Sequence, residues 1–209
     1  KKKVMGKKGL LTVASLVSFI TFISGCTDDY RLTGIGSPEP GILRVYLTSD
    51  NQDNSIVIID ETINVNEEDG EDSLSILIGQ SRAYHDSNLV VVYKTLTDYQ
   101  EKDQEFNGIK LNGSVYEKFL LYESYVPPIE YDSLLISISS DYIAIGEYTM
   151  DVALPDGESP LMMFRQDFSV DPGGITELTL TLKPLASLIR VGDKYKFFRD
   201  ITVSSVVKL

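Results

Sequence analysis

The side chains able to do chemistry in this 209-residue chain are few and unevenly spread. It holds one cysteine, Cys26, and one histidine, His85, against 31 carboxylates. One thiol and one imidazole cannot assemble a zinc site of the common Cys/His kind. A Ser–His–Asp triad would have to draw on His85, yet no Gly-x-Ser-x-Gly surrounds any serine. In the polar stretch 81–88, His85 reads as a loop residue. Two carboxylates about 5–10 Å apart suffice for glycoside hydrolysis. With 31 of them some pair meets that distance by chance, so the count carries no signal. The chain has no Trp to stack on sugars, and its 12 Tyr fall largely on strand-like segments, where Tyr is favoured anyway. Two loops, Asp50-Asn51-Gln52-Asp53-Asn54 and Glu67-Glu68-Asp69-Gly70-Glu71-Asp72, carry the hard oxygen ligands that calcium takes. Asp50, Asp53, Glu67, Glu68 and Asp69 are thus candidate calcium ligands, although neither loop has EF-hand spacing. Gly34-Ile35-Gly36 lacks the third Gly and the following helix of a phosphate loop. No other cofactor is expected.

What surrounds Cys26 gives it a different chemistry. Lys1, Lys2, Lys3, Lys7 and Lys8 make a basic start, residues 10–23 are uncharged and apolar or small, and Ser24-Gly25 follow. This is the layout of a secretory signal peptide. Fourteen residues are too few to span a bilayer, which takes about 20. The sequence opens on Lys1, so either residues precede it or Met5 is the start. Ile23-Ser24-Gly25-Cys26 resembles the lipobox of bacterial lipoproteins. The resemblance implies that the thiol is alkylated by a diacylglyceryl group, that the chain is cut before Cys26, and that the new amine is acylated. Two or more fatty chains, palmitate among them, hold a protein on a membrane where one is marginal. The expected division is a signal peptide over 1–25, a lipidated tether over 26–40 and one domain over 41–209.

Removing the five lysines of the signal leaves 14 basic groups against 31 acidic ones, a net charge of −17. Such a surface repels phosphate backbones, so nucleic acid is not an expected partner. Membrane affinity must come from the lipid on Cys26. The tether carries Gly34, Gly36, Pro38 and Pro40 and no apolar period. Its start, Cys26-Thr27-Asp28-Asp29, resembles the acidic signal that sends some lipoproteins to the outer face of the outer membrane. Asp28 and Asp29 are the sorting candidates, and the cell surface is expected ahead of the periplasmic face.

The elements behind the tether are strands. Leu43, Val45 and Leu47 alternate with polar or aromatic residues, as do Tyr148, Met150, Val152 and Leu154, and Leu178, Leu180 and Leu182. A period of two means one buried face. Further strands are expected over 56–59, 74–78, 89–95, 114–122, 133–138, 162–170, 195–198 and 201–207. Between them lie turn clusters such as Asn107-Gly108, Pro155-Asp156-Gly157 and Asp171-Pro172-Gly173-Gly174. The best helical candidate, 98–106, is short and mostly polar. Many short strands with Gly/Pro turns predict an all-β, antiparallel β-sandwich with little helix.

Two segments extend this reading. Gly41 to Thr48 followed by 56–65, and Pro128-Ile129-Glu130-Tyr131 followed by 134–138, resemble a transthyretin-like, prealbumin-type domain of bacterial lipoproteins. That family's first strand usually runs into Asp-Ala-Pro, where this chain has Ser49-Asp50-Asn51-Gln52. Glu130 stands where it usually has Gly. The resemblance implies the sandwich and brings no catalytic residues. The expected role is non-catalytic: binding of a protein or glycan ligand, adhesion, or envelope scaffolding. A carboxylate-dependent hydrolase of envelope or extracellular glycans is the alternative from another class. A pilus-type subunit is a third, with 201–209 as its exchangeable strand.

Overall fold

A computed structural model describes residues 38–65, 72–97 and 103–209. The lipobox residues Ile23 to Cys26, the sorting candidates Asp28 and Asp29, and Glu67, Glu68 and Asp69 lie outside the described residues. The strands run β1 (Gly41–Ser49), β2 (Ser55–Ile58), β3 (Glu61–Asn64), β4 (Ser73–His85), β5 (Asn88–Val92), β6 (Gln104–Asn107), β7 (Leu111–Asn112), β8 (Val115–Tyr116) and β9 (Phe119–Val126). They continue as β10 (Glu130–Ser139), β11 (Tyr142–Ile145), β12 (Tyr148–Ala153), β13 (Leu161–Ser169), β14 (Ile175–Leu182), β15 (Leu188–Val191), β16 (Lys194–Phe197) and β17 (Ile201–Lys208). The fold is an all-β, mostly antiparallel sandwich, with no helix among the described residues. Residues 104–106, the end of the helical candidate 98–106, lie instead in β6, which pairs with β4. Phe106 there meets Phe119, 5.3 Å away ring to ring.

One sheet has the order β17-β14-β1-β9. Its centre, β1, lies parallel to β14 and antiparallel to β9. Every second residue of β1 points inward, so Leu43, Val45 and Leu47 are buried. Its outer face carries Arg44, which donates to Glu123 on β9 (2.7 Å) and to Glu177 on β14 (3.2 Å). The other large sheet is built along β4, a strand of 13 residues. β10 and β11 line one of its edges, and β5 and β6 pair with it as well. The path then runs through β12 and β16 to β15. Between Ile136 and Ile138 the β10 register slips, because β4 carries an extra residue at Gly79-Gln80. Glycine suits that bulge, and a Cβ on Gly79 would stand 2.9 Å from the Ser137 side chain. Leu74, Ile76 and Ile78 of β4 share one buried cluster with the β1 leucines and with Leu178, Leu180 and Leu182 of β14.

The expected strand 114–122 is two strands, β8 and β9, broken at Glu117-Lys118. β7 and β8 form a small hairpin, as do β2 and β3. Among the described residues no helix is long and apolar enough to cross a membrane.

Candidate functional site

In the oxygen-rich loop 50–54, backbone amides take up several of the side-chain oxygens. Both carboxylate oxygens of Asp53 accept backbone amides: Leu185 N at 2.7 Å, and Ala186 N at 3.0 and 3.2 Å. Asp50 Oδ1 accepts from Gln52 N, and Asn51 Oδ1 accepts from Tyr116 N. The Tyr116 hydroxyl donates to the Asp53 carbonyl at 2.9 Å. Burial, then the nearby Asp53, Asp50 and Asp72 charges, push the Tyr116 phenol up to about 12. Of the two expected calcium ligands, Asp53 ties the loop to the 183–188 turn and to β8, while the Asp50 carboxylate accepts from Gln52 N within its own turn. Among the described residues no group of three or more His, Cys, Asp or Glu side chains is gathered for a metal ion.

His85 ends β4, and the structure puts it in an open cleft of about 480 Å³ with Asp86, Glu130, Asp132 and Asp167. His85 Nε2 stands 3.8 Å from Asp86 Oδ2. Asp132 accepts from the Ser133 hydroxyl and from the Asp86 amide, and these bonds hold its carboxyl below the usual range. A glycosidase acid needs the opposite, a carboxyl kept protonated near neutral pH. Asp132 is therefore set up as an acceptor and not as a proton donor.

A different arrangement lies at the turns of two hairpins. β2 and β3 pair from Ser55–Asn64 to Ile58–Glu61, which leaves Ile59-Asp60 as a two-residue turn. Both residues have positive φ, 49° and 65°. This is the conformation of a type I′ turn, whose twist suits flanking strands and whose usual occupants are Asn and Gly. Asp tolerates it; a β-branched side chain does not, because its Cβ crowds the backbone. Strain of this kind costs about 1–3 kcal/mol. Ile59 recovers none of it by burial, since it is 70% exposed.

Ile59 rims a groove of about 550 Å³, walled by β12 and by the β15–β16 hairpin. Tyr148, Met150, Val152 and Tyr195 form its apolar lining, with Asp151, Asp193, Arg190 and Lys194 as the charged groups. Tyr148 Oη donates to Glu61 Oε2 at 3.3 Å, which fixes the β3 end of the first hairpin against β12. Beside that bond the Glu61 charge raises the Tyr148 phenol above its ordinary value. The β15–β16 turn places Gly192, φ 67°, where left-handed backbone is required. Val191, one residue before it, is 51% exposed. The groove thus offers an apolar floor, the exposed aliphatic side chain of Ile59 at its rim and charges of both signs.

Sequence reasoning placed 56–59 in a strand and missed the site. The only signal was the two residues between the short runs Ile56-Val57-Ile58 and Glu61-Thr62-Ile63-Asn64, and Ile-Asp is not a turn signature. No family model, no curated protein and no solved structure matches the chain, so the groove is characterised by its own geometry alone.

Proposed function

We propose that this is a lipid-anchored, non-catalytic binding module of the outer membrane, displayed at the cell surface. It engages a protein ligand at the groove between the β2–β3 and β15–β16 turns. The observation that carries the reading is Ile59: an isoleucine both strained and exposed, where Asn or Gly would serve the fold better. Residues that break local rules without gain to the fold mark functional positions. A protein is favoured over a glycan because Ile59, the exposed residue at the rim, is aliphatic and suits an apolar side chain. The anchor is supported by Ile23-Ser24-Gly25-Cys26, and the surface address by Asp28 and Asp29.

The test places a photo-reactive amino acid at position 59 of the membrane-anchored chain in intact cells, with position 105 on β6 as the control. A protein adduct at 59, absent at 105 and lost on Lys194→Glu in the groove wall, is expected. A glycan adduct would replace the protein reading. No adduct beyond the control would reject the groove as a binding site. The anchor is tested separately. Cys26→Ser should release the chain from membranes and abolish fatty-acid labelling. Asp28→Ala with Asp29→Ala should keep the label yet shield the domain from protease added to intact cells.

A further inference from the structure

The two large sheets end on four strands: β17 and β9 in one, β13 and β15 in the other. Exposed edges invite pairing with another chain, and charges or covering segments usually prevent it. β13 carries Arg165 and Asp167, and β15 carries Arg190. β9 carries Glu123, whose amide donates to the Lys94 carbonyl of the segment running beside it. β17 differs. Residues 201–207 hold no charge, and Lys208 at its end is drawn to Asp171 at 2.9 Å. Val206 and Val207 are 37% and 45% exposed.

The strand is nearly its own reverse: Ile201-Thr202-Val203-Ser204, then Ser205-Val206-Val207-Lys208. Antiparallel pairing with an identical strand sets Val203 opposite Val206, Thr202 opposite Val207 and Ser204 opposite Ser205. In an unbroken strand such pairs would point to opposite faces, because positions three or five apart alternate. Here a bulge removes the conflict. Thr179 pairs with Ser205 and Leu180 with Val203, so Ser204 is the extra residue. Its hydroxyl donates to the Thr179 carbonyl (3.1 Å) and accepts from Thr181 Oγ1 (2.8 Å), which closes the bulge onto β14. As a result Val203 and Val206 stand opposite Leu180 and Leu178 on the inner face, while Thr202 and Val207 stand opposite Thr181 and Glu177 on the outer face. The bulge is what makes the strand self-complementary.

We propose that β17 pairs with β17 of a second copy about a two-fold axis, joining two four-stranded sheets into one of eight strands. A two-fold contact closes on itself and yields a dimer, not a fibre. Val203 and Val206 of each copy then cover one another. Aliphatic β-branched pairs are favourable cross-strand neighbours, and no like charges face each other along the strand.

The test uses the full chain in membranes. Chains with Val203→Cys are co-expressed with chains carrying Val206→Cys, then oxidised gently. Directly opposed residues in an antiparallel pair lie about 4.5–5.5 Å apart at Cα, within disulfide reach. A covalent dimer joining the two variants is expected, with little or none from either variant alone. Ser205→Lys added to both should abolish it by setting a charge into the central pair. All these positions are at least partly exposed, so folding is not at stake. No mixed dimer, equal dimer from each single variant, or a mixed dimer that survives Ser205→Lys would overturn the proposal.

Discussion

Residues 50–54 and the turn Ile59-Asp60 are close in sequence and opposite in character. The first stretch is rich in oxygen and looks equipped to hold a cation. In the structure its side chains satisfy amides at Leu185, Ala186, Gln52 and Tyr116. The second carries no chemical group of note beyond one carboxylate. Yet it holds a backbone that its isoleucine disfavours, and it displays that isoleucine to solvent. A loop that looks functional obeys every local rule, and a turn that looks inert breaks one. The broken rule is the ground on which the proposed binding groove rests.

Four perturbations separate the two regions. Asp53→Ala should cost the most, about 3 kcal/mol, because charge-assisted bonds to two amides are lost together and Leu185 N is left without its acceptor. Denaturant unfolding reads this, and a loss under about 1 kcal/mol would mean the clamp is ornamental.

Alkaline pH attacks the same clamp from the other side. The folded Tyr116 phenol is raised to about 12 from its ordinary value of 10.0. Its contribution is complete below pH 10 and is lost as pH rises through 10 to 12, about 2 kcal/mol in all. Tyr131, raised to about 12 by burial, loses its share in the same window. Tyr116→Phe should flatten the decline. An ultraviolet titration in which every phenol ionises near 10 contradicts this.

Gly192→Ile imports the strain of Ile59 into the turn that lacks it. Nothing lies within 4 Å of a Cβ built there, so the cost is conformational alone, about 1–2 kcal/mol. Unchanged stability would show that left-handed isoleucine is cheap in this hairpin, and would remove the argument from Ile59.

Ile59→Asn is the smallest effect and the most informative. It should stabilise the domain by about 1 kcal/mol while weakening ligand capture. A variant that is both less stable and fully able to bind would reverse the assignment of strain to function.

The sandwich was largely legible because burial imposes a period of two, and β1, β12 and β14 show it openly. β6 was not legible: Gln104-Glu105-Phe106-Asn107 has one apolar side chain and pairs only with β4, so no alternation is written into it. The break between β8 and β9 was hidden because Tyr116 and Phe119 both read as strand formers. The grouping of His85 with Asp86, Asp132 and Asp167 joins residues from distant hairpins, which spacing along one chain does not reveal. The groove was invisible for a further reason. Its sign is a dihedral angle at Ile59, and only coordinates carry that.

The bond from Arg44 to Glu177 joins residues 133 positions apart, and β1 lies parallel to β14 along its length. Closing so long a loop costs entropy before any contact repays it, which places such folds among the slow ones, at milliseconds to seconds. Until β14 is made, β1 has only β9 to hold, and its inner leucines stay in water. Synthesis at roughly 5–20 residues per second therefore delivers an unfinished thread for several seconds, open to chaperones and proteases alike. The central strand of the sheet is made early and seated late.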